Sequence, residues 1–178
     1  AKSSIAHISV VTYYRLALPN LLPQYDKLIW LDGDTIVCRD LSCLFNTDMG
    51  NNYIAGVLAP YVAQDANYAK ILGIPNMKTY VNAGVLLWNL DLMRQNSLEQ
   101  KFMSLVDINY IMGDQDILNT ACFGRIMLLP LRFNMMNKLL KQNNKQMVLG
   151  ANLYSLQEFD NAVSAPVVIH YCDAQKPW

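Results

Sequence analysis

Two carboxylates follow a short apolar segment in the first quarter of the chain. Lys27–Leu31 (KLIWL) leads directly into Asp32, Gly33 and Asp34. In an extended backbone, residues i and i+2 point to the same side, so both carboxylates can bind one cation, and Gly33 permits a bend there without a side-chain clash. Asp residues after a strand are also common turn formers and helix caps. The spacing alone therefore indicates either a metal site or an ordinary turn.

A histidine ends another apolar segment, Val167–His170 (VVIH), near the end of the chain. Open α/β sheets bind ligands beyond the carboxyl ends of their strands, which would bring His170 to the edge that holds Asp32 and Asp34. Two carboxylates and one imidazole suit Mn²⁺ better than Mg²⁺, because nitrogen ligands disfavour the harder ion. Lys176 follows in a loop, where it could meet a phosphate. The alternative is that His170 is only a hydrogen-bonded surface or core residue.

Two further segments combine polar side chains with a nearby strand or helix. Asn82, Ala83 and Gly84 open the apolar run VLLWNL, and small residues beside an amide suit the close approach of backbone to a ligand. The alternative is an ordinary passage from loop to strand. Gly113–Asp116 (GDQD) offers acidic groups, or simply a helix cap at Asp114 with acidic residues facing the helix dipole.

Several common catalytic motifs are missing from the sequence. It contains no G-x-G-x-x-G, no G-x-x-x-x-G-K-[ST] and no G-x-S-x-G. Dinucleotide-binding, Walker-type and α/β-hydrolase chemistry therefore lose support. His7 and His170 are the only histidines, so a Ser-His or Cys-His nucleophile has few possible bases.

Apolar runs alternate with amphipathic segments along the chain. Strands are predicted at Lys27–Leu31, Tyr53–Leu58, Val85–Asn89, Ile126–Leu131 and Val167–His170, and helices at 12–18, 61–72, 97–109 and 114–122. Strands without polar alternation, separated by helices, indicate an α/β fold with a mostly parallel sheet flanked by helices on both faces. We find no linker and expect a single domain over residues 1–178.

Composition narrows the functional classes. The 178 residues are 53% hydrophobic and only 16% charged, and 14 basic residues balance 14 acidic ones. A nucleic-acid-binding protein would usually have an excess of basic residues, which this chain lacks. No apolar run reaches the roughly 18 residues of a membrane helix, and the first residues do not form a secretory signal. The 4 cysteines contain no C-x-x-C pair, so we expect reduced, mostly buried thiols in a cytoplasmic protein.

Four strings in register resemble glycosyltransferase family 8, the retaining galactosyl- and glucosyltransferases that include bacterial lipooligosaccharide enzymes and glycogenin. They are HISVVTYYRLALPNLLPQYDKLIWLDGDTIV, VNAGVLLWNLDLMR, GDQDILN and VIHYCDAQKPW, and they span residues 7–178. The resemblance implies a nucleotide-sugar fold of the glycosyltransferase A type. It also implies that the D-x-D carboxylates Asp32 and Asp34, with His170, bind the metal, and that Lys176 contacts the diphosphate.

The resemblance extends to the nucleotide and the transferred sugar. His7 and Ile8 match positions near the uridine, and Arg15 matches an arginine that contacts the sugar donor. The residues that match those around the transferred sugar are Asn82, Asp114 and Gln115. Gly33, Ala83 and Gly84 belong to the same matching strings and are expected in the cofactor site.

Three departures from the family pattern stand out. The family usually begins with a further strand and helix that carry uridine contacts, so we expect a partial domain that lacks its N-terminal edge. Ala59 or Pro60 stands where the family often has an Asp that holds a sugar hydroxyl. Asp173 replaces a Gly of the final loop, which brings a carboxylate near the diphosphate and would conflict with a backbone of positive φ.

The resemblance implies transfer of galactose or glucose from a UDP-sugar to a glycan or lipid-linked saccharide, with Mn²⁺ (or Mg²⁺) and retention of configuration. No unpaired carboxylate is clearly placed as a nucleophile, and the Gln115 amide would be a poor one, so we expect front-side attack. Bacterial lipopolysaccharide or cell-surface glycan synthesis is the expected setting, in the cytoplasm, with peripheral association at the inner face of the plasma membrane as an option. Exposed strand edges would favour self-association. The alternatives are an inactive UDP-sugar-binding fragment or scaffold, and a purely structural interaction protein that binds no nucleotide.

Overall fold

The structure is a computed structural model that describes residues 10–140, 145–146, 148–149, 152–174 and 176–178, with side chains from residue 12 onward. Its larger sheet has four strands in the order β1-β4-β3-β5. These strands are β1 (Lys27–Leu31), β3 (Ile54–Leu58), β4 (Val81–Asn89) and β5 (Ile126–Leu128). All are apolar runs, and the central strands β3 and β4 are buried almost throughout.

A smaller sheet carries the second half of the site. It has the order β2-β7-β6, with β2 at Thr35–Val37, β6 at Met135–Met136 and β7 at Val168–His170. Strand β2 starts just after Asp34 and pairs with β7, so that Thr35 lies opposite His170. This register brings the imidazole to the turn that carries the two carboxylates.

The expectation of a mostly parallel sheet is wrong for the described strands, whereas the α/β class and the flanking helices are confirmed. Strand β4 is antiparallel to both β1 and β3, and β2 is antiparallel to β7. Only β3–β5 and β6–β7 are parallel. Burial on both faces removes polar alternation from a strand whatever its direction, so the sequence pattern could not distinguish the two arrangements.

Helices cover both faces of the larger sheet. The α-helices are α1 (Leu18–Leu21), α2 (Ser42–Phe45), α3 (Ala66–Leu72), α4 (Leu90–Gln95), α5 (Leu98–Leu105), α6 (Asp114–Ala121) and α7 (Leu156–Ser164). Short 3₁₀ helices occupy Val10–Ala17, Leu131–Asn134 and Asn137–Leu140.

Three helices differ from the sequence expectation. The segment predicted as a helix over 12–18 is a 3₁₀ helix, Val10–Ala17, that continues into α1, where Pro19 is tolerated in the first turn. Helix α3 begins only after Asp65, whose carboxylate accepts the N–H of Tyr68, and it ends at Gly73 in the left-handed region as expected. Helix α5 stops at Leu105, and Ser97 makes no side-chain cap because its own backbone is left-handed with φ of 52°. A capping box needs an extended N-cap residue, which Ser97 is not.

The core has two parts, one on each face of the larger sheet. Alternate side chains of β4 enter them in turn: Leu86 and Trp88 belong to one cluster, and Val85 and Leu87 to the other. The second cluster also contains Val168 of β7, so it joins the two sheets beneath the site. Burial on both faces therefore fixes β4, which carries Asn82 and Gly84 at its start.

The cysteines are free, but the expectation that most are buried is wrong. Cys122 is buried and Cys172 partly so, whereas Cys38 and Cys43 are exposed, since they follow β2 and begin α2 at the surface. A search of the described residues for a helix both long and apolar enough to cross a membrane finds none.

Replacing Leu87 by Ala should lower the free energy of unfolding by about 2–5 kcal/mol, because the side chain is fully buried and leaves a cavity in the central strand. The matched variant Leu156→Ala removes the same atoms from a side chain that is 56% exposed, and it should cost well under half as much. Urea denaturation of both proteins measures the difference. Equal losses would contradict the assigned burial of β4.

Candidate metal and sugar-donor site

Three side chains with metal-ligating atoms converge at the carboxyl end of β1. One ligand atom each from Asp32, Asp34 and His170 lies within 4.8 Å of the others. The carboxylates are partly buried, and the imidazole is 3% exposed. Two carboxylates and one imidazole on one side leave the other side of a six-coordinate cation open to water or phosphate oxygens. This donor set fits Mn²⁺ or Mg²⁺, and the nitrogen favours Mn²⁺.

A buried arginine holds the first carboxylate. Arg15 Nη2 lies 3.0 Å from Asp32 Oδ1, and Nη1 donates to the Ala83 carbonyl at 2.9 Å. The guanidinium stacks 4.4 Å from the ring centre of Trp30, whose Nε1 also donates to Asp32 Oδ1 at 2.8 Å. Asp32 Oδ1 thus receives two donors, which orient the carboxylate toward the cluster.

Arg15 also contacts the carboxylate at the start of α6. Its Nε lies 2.8 Å from Asp114 Oδ2, an ionic contact, while the Nε–H is directed to the Thr12 carbonyl at 3.3 Å. Burial raises the pKa of the Asp114 carboxyl above its ordinary value, although Arg15 opposes that shift. One guanidinium therefore separates two acidic groups that would otherwise repel each other.

The second carboxylate is held by two cationic or ionisable partners. Asp34 Oδ1 lies 3.2 Å from His170 Nε2, and Asp34 Oδ2 accepts from Lys176 Nζ at 2.7 Å. The close contact with the His170 ring, together with the hydrogen bond from Lys176, holds the pKa of Asp34 well below its usual range despite partial burial. Lys176 also donates to the Tyr171 carbonyl. Asp34 is therefore an anion at neutral pH.

The imidazole fits only because residue 84 has no side chain. A Cβ built on Gly84 would lie 2.0 Å from His170 Cε1 and 2.5 Å from Nδ1, far inside van der Waals contact. The Gly84 carbonyl also accepts the N–H of Asp32 at 2.8 Å. The backbone of Gly84 thus packs directly against the His170 ring, and its hydrogen bond to Asp32 fixes the start of the turn that carries the two carboxylates.

The amide side chains predicted near a sugar form one hydrogen-bonded group. Asn82 Nδ2 and the Ala83 N–H both donate to Gln115 Oε1, at 3.1 and 3.0 Å. Gln115 Nε2 donates to Tyr80 Oη at 3.1 Å, and Tyr80 donates to Asp116 at 2.5 Å. The amide of Gln115 is therefore fixed at both ends.

Asp116 anchors this group from inside the core. It is fully buried and accepts from Tyr80, from Tyr68 at 2.7 Å and from the Met112 N–H at 2.7 Å. Burial raises the pKa of Asp116, whereas the donated hydrogen bonds oppose the rise. The carboxylate joins α6 to Tyr68 of α3 and to Tyr80, the residue just before β4, and this places Gln115 next to Asn82.

Most residues predicted for the site meet there, with some differences of role. His7 and Ile8 lie outside the described residues. Gly33 is exposed, its φ is not positive, and a Cβ would meet nothing within 4 Å, so a residue with a side chain would also fit at this bend. The simple cap reading of Asp114 is also wrong, because Gly113 is the N-cap and the carboxylate instead meets Arg15.

The motifs in the sequence did not indicate three further side chains of the site, Asn134, Tyr80 and Trp30. Asn134 is fully buried between the two sheets, with Nδ2 donating to Asn82 Oδ1 at 2.8 Å and Oδ1 lying 3.1 Å from His170 Nδ1. The string RFNMM could have signalled it, since an amide inside an apolar run has to be hydrogen-bonded when buried.

A mixed sheet that leads to paired carboxylates and a smaller sheet that supplies an imidazole agree with the glycosyltransferase A-type fold of structural neighbours such as the galactosyltransferase LgtC. The family described as Glycosyl transferase family 8 matches residues 1–178. The chain belongs to that family.

The names of similar proteins agree with this family assignment. A protein of Haemophilus influenzae that carries a glycosyltransferase name is 32% identical over 98% of this chain and 51% of its own length. Lipopolysaccharide 1,2-glucosyltransferase of Escherichia coli K12 is 28% identical over 93% of this chain and 48% of its own. The galactosyltransferase LgtC, solved with donor and acceptor sugar analogues, superposes with a TM-score of 0.78 at 31% identity, covering 99% of this chain and 63% of that one. The chain spans about half the length of the curated relatives it matches.

Replacing Gly84 by Ala should lower the free energy of unfolding by about 1–3 kcal/mol, because the new Cβ overlaps the His170 ring. In a His170→Ala background the overlap is gone, so the same replacement should cost only a few tenths of that. Denaturant titration of the four proteins of this double-mutant cycle gives the coupling. A coupling near zero would contradict the close contact.

Proposed function

We propose that this chain carries the sugar-donor half of a metal-dependent hexosyltransferase that uses UDP-glucose or UDP-galactose. The convergence of Asp32, Asp34 and His170 within 4.8 Å is the observation that carries the proposal. The names of the relatives support glucose or galactose as the sugar and a bacterial surface saccharide, glycan or lipid-linked, as the acceptor. The cytoplasmic location, the peripheral membrane association and the self-association stay predictions.

A divalent cation bound by these three side chains would act as a Lewis acid that neutralises charge on the departing diphosphate. Asp32 and Asp34 would hold it from the side of β1, with Arg15 and Trp30 keeping Asp32 in place. Lys176 is tethered to Asp34 at 2.7 Å, within reach of a phosphate oxygen that binds the same cation. Its ammonium would stabilise the leaving group.

The contacts of Gln115 and Asp114 favour front-side attack as the route by which configuration is retained. A covalent intermediate requires a free nucleophile on the far side of the sugar. Gln115 Oε1 already accepts two hydrogen bonds, and Asp114 is buried against Arg15. In front-side attack the acceptor hydroxyl forms the new C1–O bond on the face that the diphosphate leaves, and its proton passes to the departing phosphate oxygen. The products are the glycoside and UDP.

Transfer or hydrolysis of UDP-glucose and UDP-galactose, followed as UDP release with Mn²⁺, tests the proposal. Asp34→Asn should weaken Mn²⁺-dependent UDP binding by more than about tenfold, because the amide removes the ligand charge. The matched variant Asp160→Asn, on α7 and paired with Lys145 outside the cluster, should bind as the parent does. A UDP affinity that depends neither on Mn²⁺ nor on the Asp34 carboxylate would contradict the proposed metal site.

The second candidate is a chain that binds the UDP-sugar without turning it over. Ala59 favours it, since a methyl group stands where the family often has an Asp that holds a sugar hydroxyl. Binding of UDP-sugar by calorimetry with no UDP release would select this candidate. Release of UDP would exclude it.

The departure at Asp173 generates a test of the final loop. The residue does not have the positive φ that a family glycine would permit, so the expected backbone conflict is wrong, and its Oδ1 accepts the N–H of Ala174 at 2.9 Å. A carboxylate about 4 Å from a diphosphate costs about 1 kcal/mol in water and about 4 at an effective dielectric of about 20. Asp173→Gly should therefore bind UDP about tenfold more tightly in Mn²⁺, with a gain that shrinks as salt rises.

Titration calorimetry at two ionic strengths measures this difference. Equal affinities would mean that the Asp173 carboxylate faces solvent. Tighter binding by the Asp form would mean that it contacts the cation.

A further inference from the structure

A fully buried asparagine joins the two sheets at the site. Asn134 ends the 3₁₀ helix Leu131–Asn134 and precedes β6, which runs parallel to β7 with Met136 opposite His170. Its side chain spans from Asn82, at the start of β4, to the imidazole. An amide held between two elements in the core has to satisfy both of its ends.

Backbone donors fix the orientation of the amides beside it. The Gly84 N–H donates at 3.0 Å to the Asn82 atom assigned as Oδ1, and the Ala83 N–H donates at 3.0 Å to Gln115 Oε1. A backbone N–H can only donate, so both acceptors must be carbonyl oxygens. Asn82 Nδ2 then donates to Gln115, in agreement with both assignments.

The same logic reaches the imidazole through one more bond. Asn82 Oδ1 is an oxygen, so the Asn134 atom at 2.8 Å from it must be the NH₂ group. The other end of Asn134 is therefore the carbonyl oxygen, which lies 3.1 Å from His170 Nδ1. An oxygen there requires a proton on Nδ1. Nε2, on the opposite side of the ring, faces Asp34 Oδ1 and the cluster.

We propose that Asn134 is the positioning residue of the metal site: its carbonyl oxygen holds the Nδ1–H of His170, so that Nε2 is left to ligate the cation. This inference rests on the proposed function for the cation and on geometry alone for the Asn134–His170 bond. Partners of this kind fix the tautomer and the ring orientation of a ligating histidine. The ring also packs directly against the backbone of Gly84, where no side chain intervenes.

The direct test is nuclear magnetic resonance of protein labelled with ¹⁵N-histidine. The chain has only 2 histidines, and a His7→Gln variant assigns the remaining signals to His170. A buried, hydrogen-bonded Nδ1–H should exchange slowly with water and give a resolved cross-peak with or without cation. Asn134→Leu, similar in shape but without polar atoms, should lose that signal. Asn134→Asp, which keeps an oxygen for the Nδ1–H, should retain it.

The second readout is the affinity for Mn²⁺ in the presence of UDP, measured by calorimetry. Asn134→Leu should weaken Mn²⁺ binding by about 10–100-fold, and Asn134→Asp by no more than about threefold. The structural control is Asn119→Leu, which also removes a buried amide, one bonded to the Val81 backbone and not to the ring. It should destabilise the fold while leaving the Nδ1–H signal and the Mn²⁺ affinity unchanged.

The possible outcomes distinguish the positioning role of Asn134 from the proposed transferase function. An unchanged signal and Mn²⁺ affinity in Asn134→Leu would overturn the positioning role while leaving the proposed function intact. Should Asn134→Leu fail to fold, absence of a protected Nδ1–H in the parent protein would overturn the inference, and its presence there and in Asn134→Asp would support it. A parent protein that shows the signal but binds neither Mn²⁺ nor UDP would refute the function and keep the Asn134–His170 bond.

Discussion

The contact between Gly84 and the His170 ring is the constraint on which the site depends. Gly84 belongs to the larger sheet and His170 to the smaller one, and the ring occupies the space that a side chain at residue 84 would fill. The Gly84 carbonyl receives the Asp32 N–H, and its own N–H is donated to Asn82. The backbone of Gly84 and its lack of a side chain therefore set the relative positions of the carboxylate turn, the His170 imidazole and the Asn82 amide.

The two carboxylates of the cluster are restrained in different ways. Asp32 is oriented by a guanidinium that is 5% exposed and stacked on Trp30, a rigid arrangement that the fold itself holds in place. Asp34 is held by the solvent-facing Lys176 in the final loop. On the proposed function, a cation at Asp34 would compete with the ammonium of Lys176, whereas Asp32 would keep its contact with Arg15. The ion pair that cation binding would change is therefore the one to the final loop.

Sequence reasoning could predict the strand that leads to Asp32 and the strand that ends in His170, because short apolar runs and the residues beside them are local properties. It could also predict that these ends would meet. It could not predict strand direction, since β3 and β4 are buried on both faces and show no alternation. Nor could it find Asn134, whose partners lie 36 and 52 residues away along the chain. Gly33 is a different case: it permits a bend between the two carboxylates, but a Cβ there would meet nothing within 4 Å, so the bend does not require a glycine.

The charges at the site explain why the cation and the diphosphate should bind together. Among the described residues, the three carboxylates of Asp32, Asp34 and Asp114 form ion pairs with two cations, Arg15 and Lys176, so these ion-paired groups carry one negative charge in excess when all are ionised. A diphosphate that approached these groups alone would meet net repulsion at short range, where screening by water is weakest. A divalent cation reverses the sign of that sum. On the proposed function, the acidic excess both recruits the cation and makes binding of the sugar donor conditional on it, and Asn134 contributes by keeping the neutral imidazole nitrogen directed at the same point.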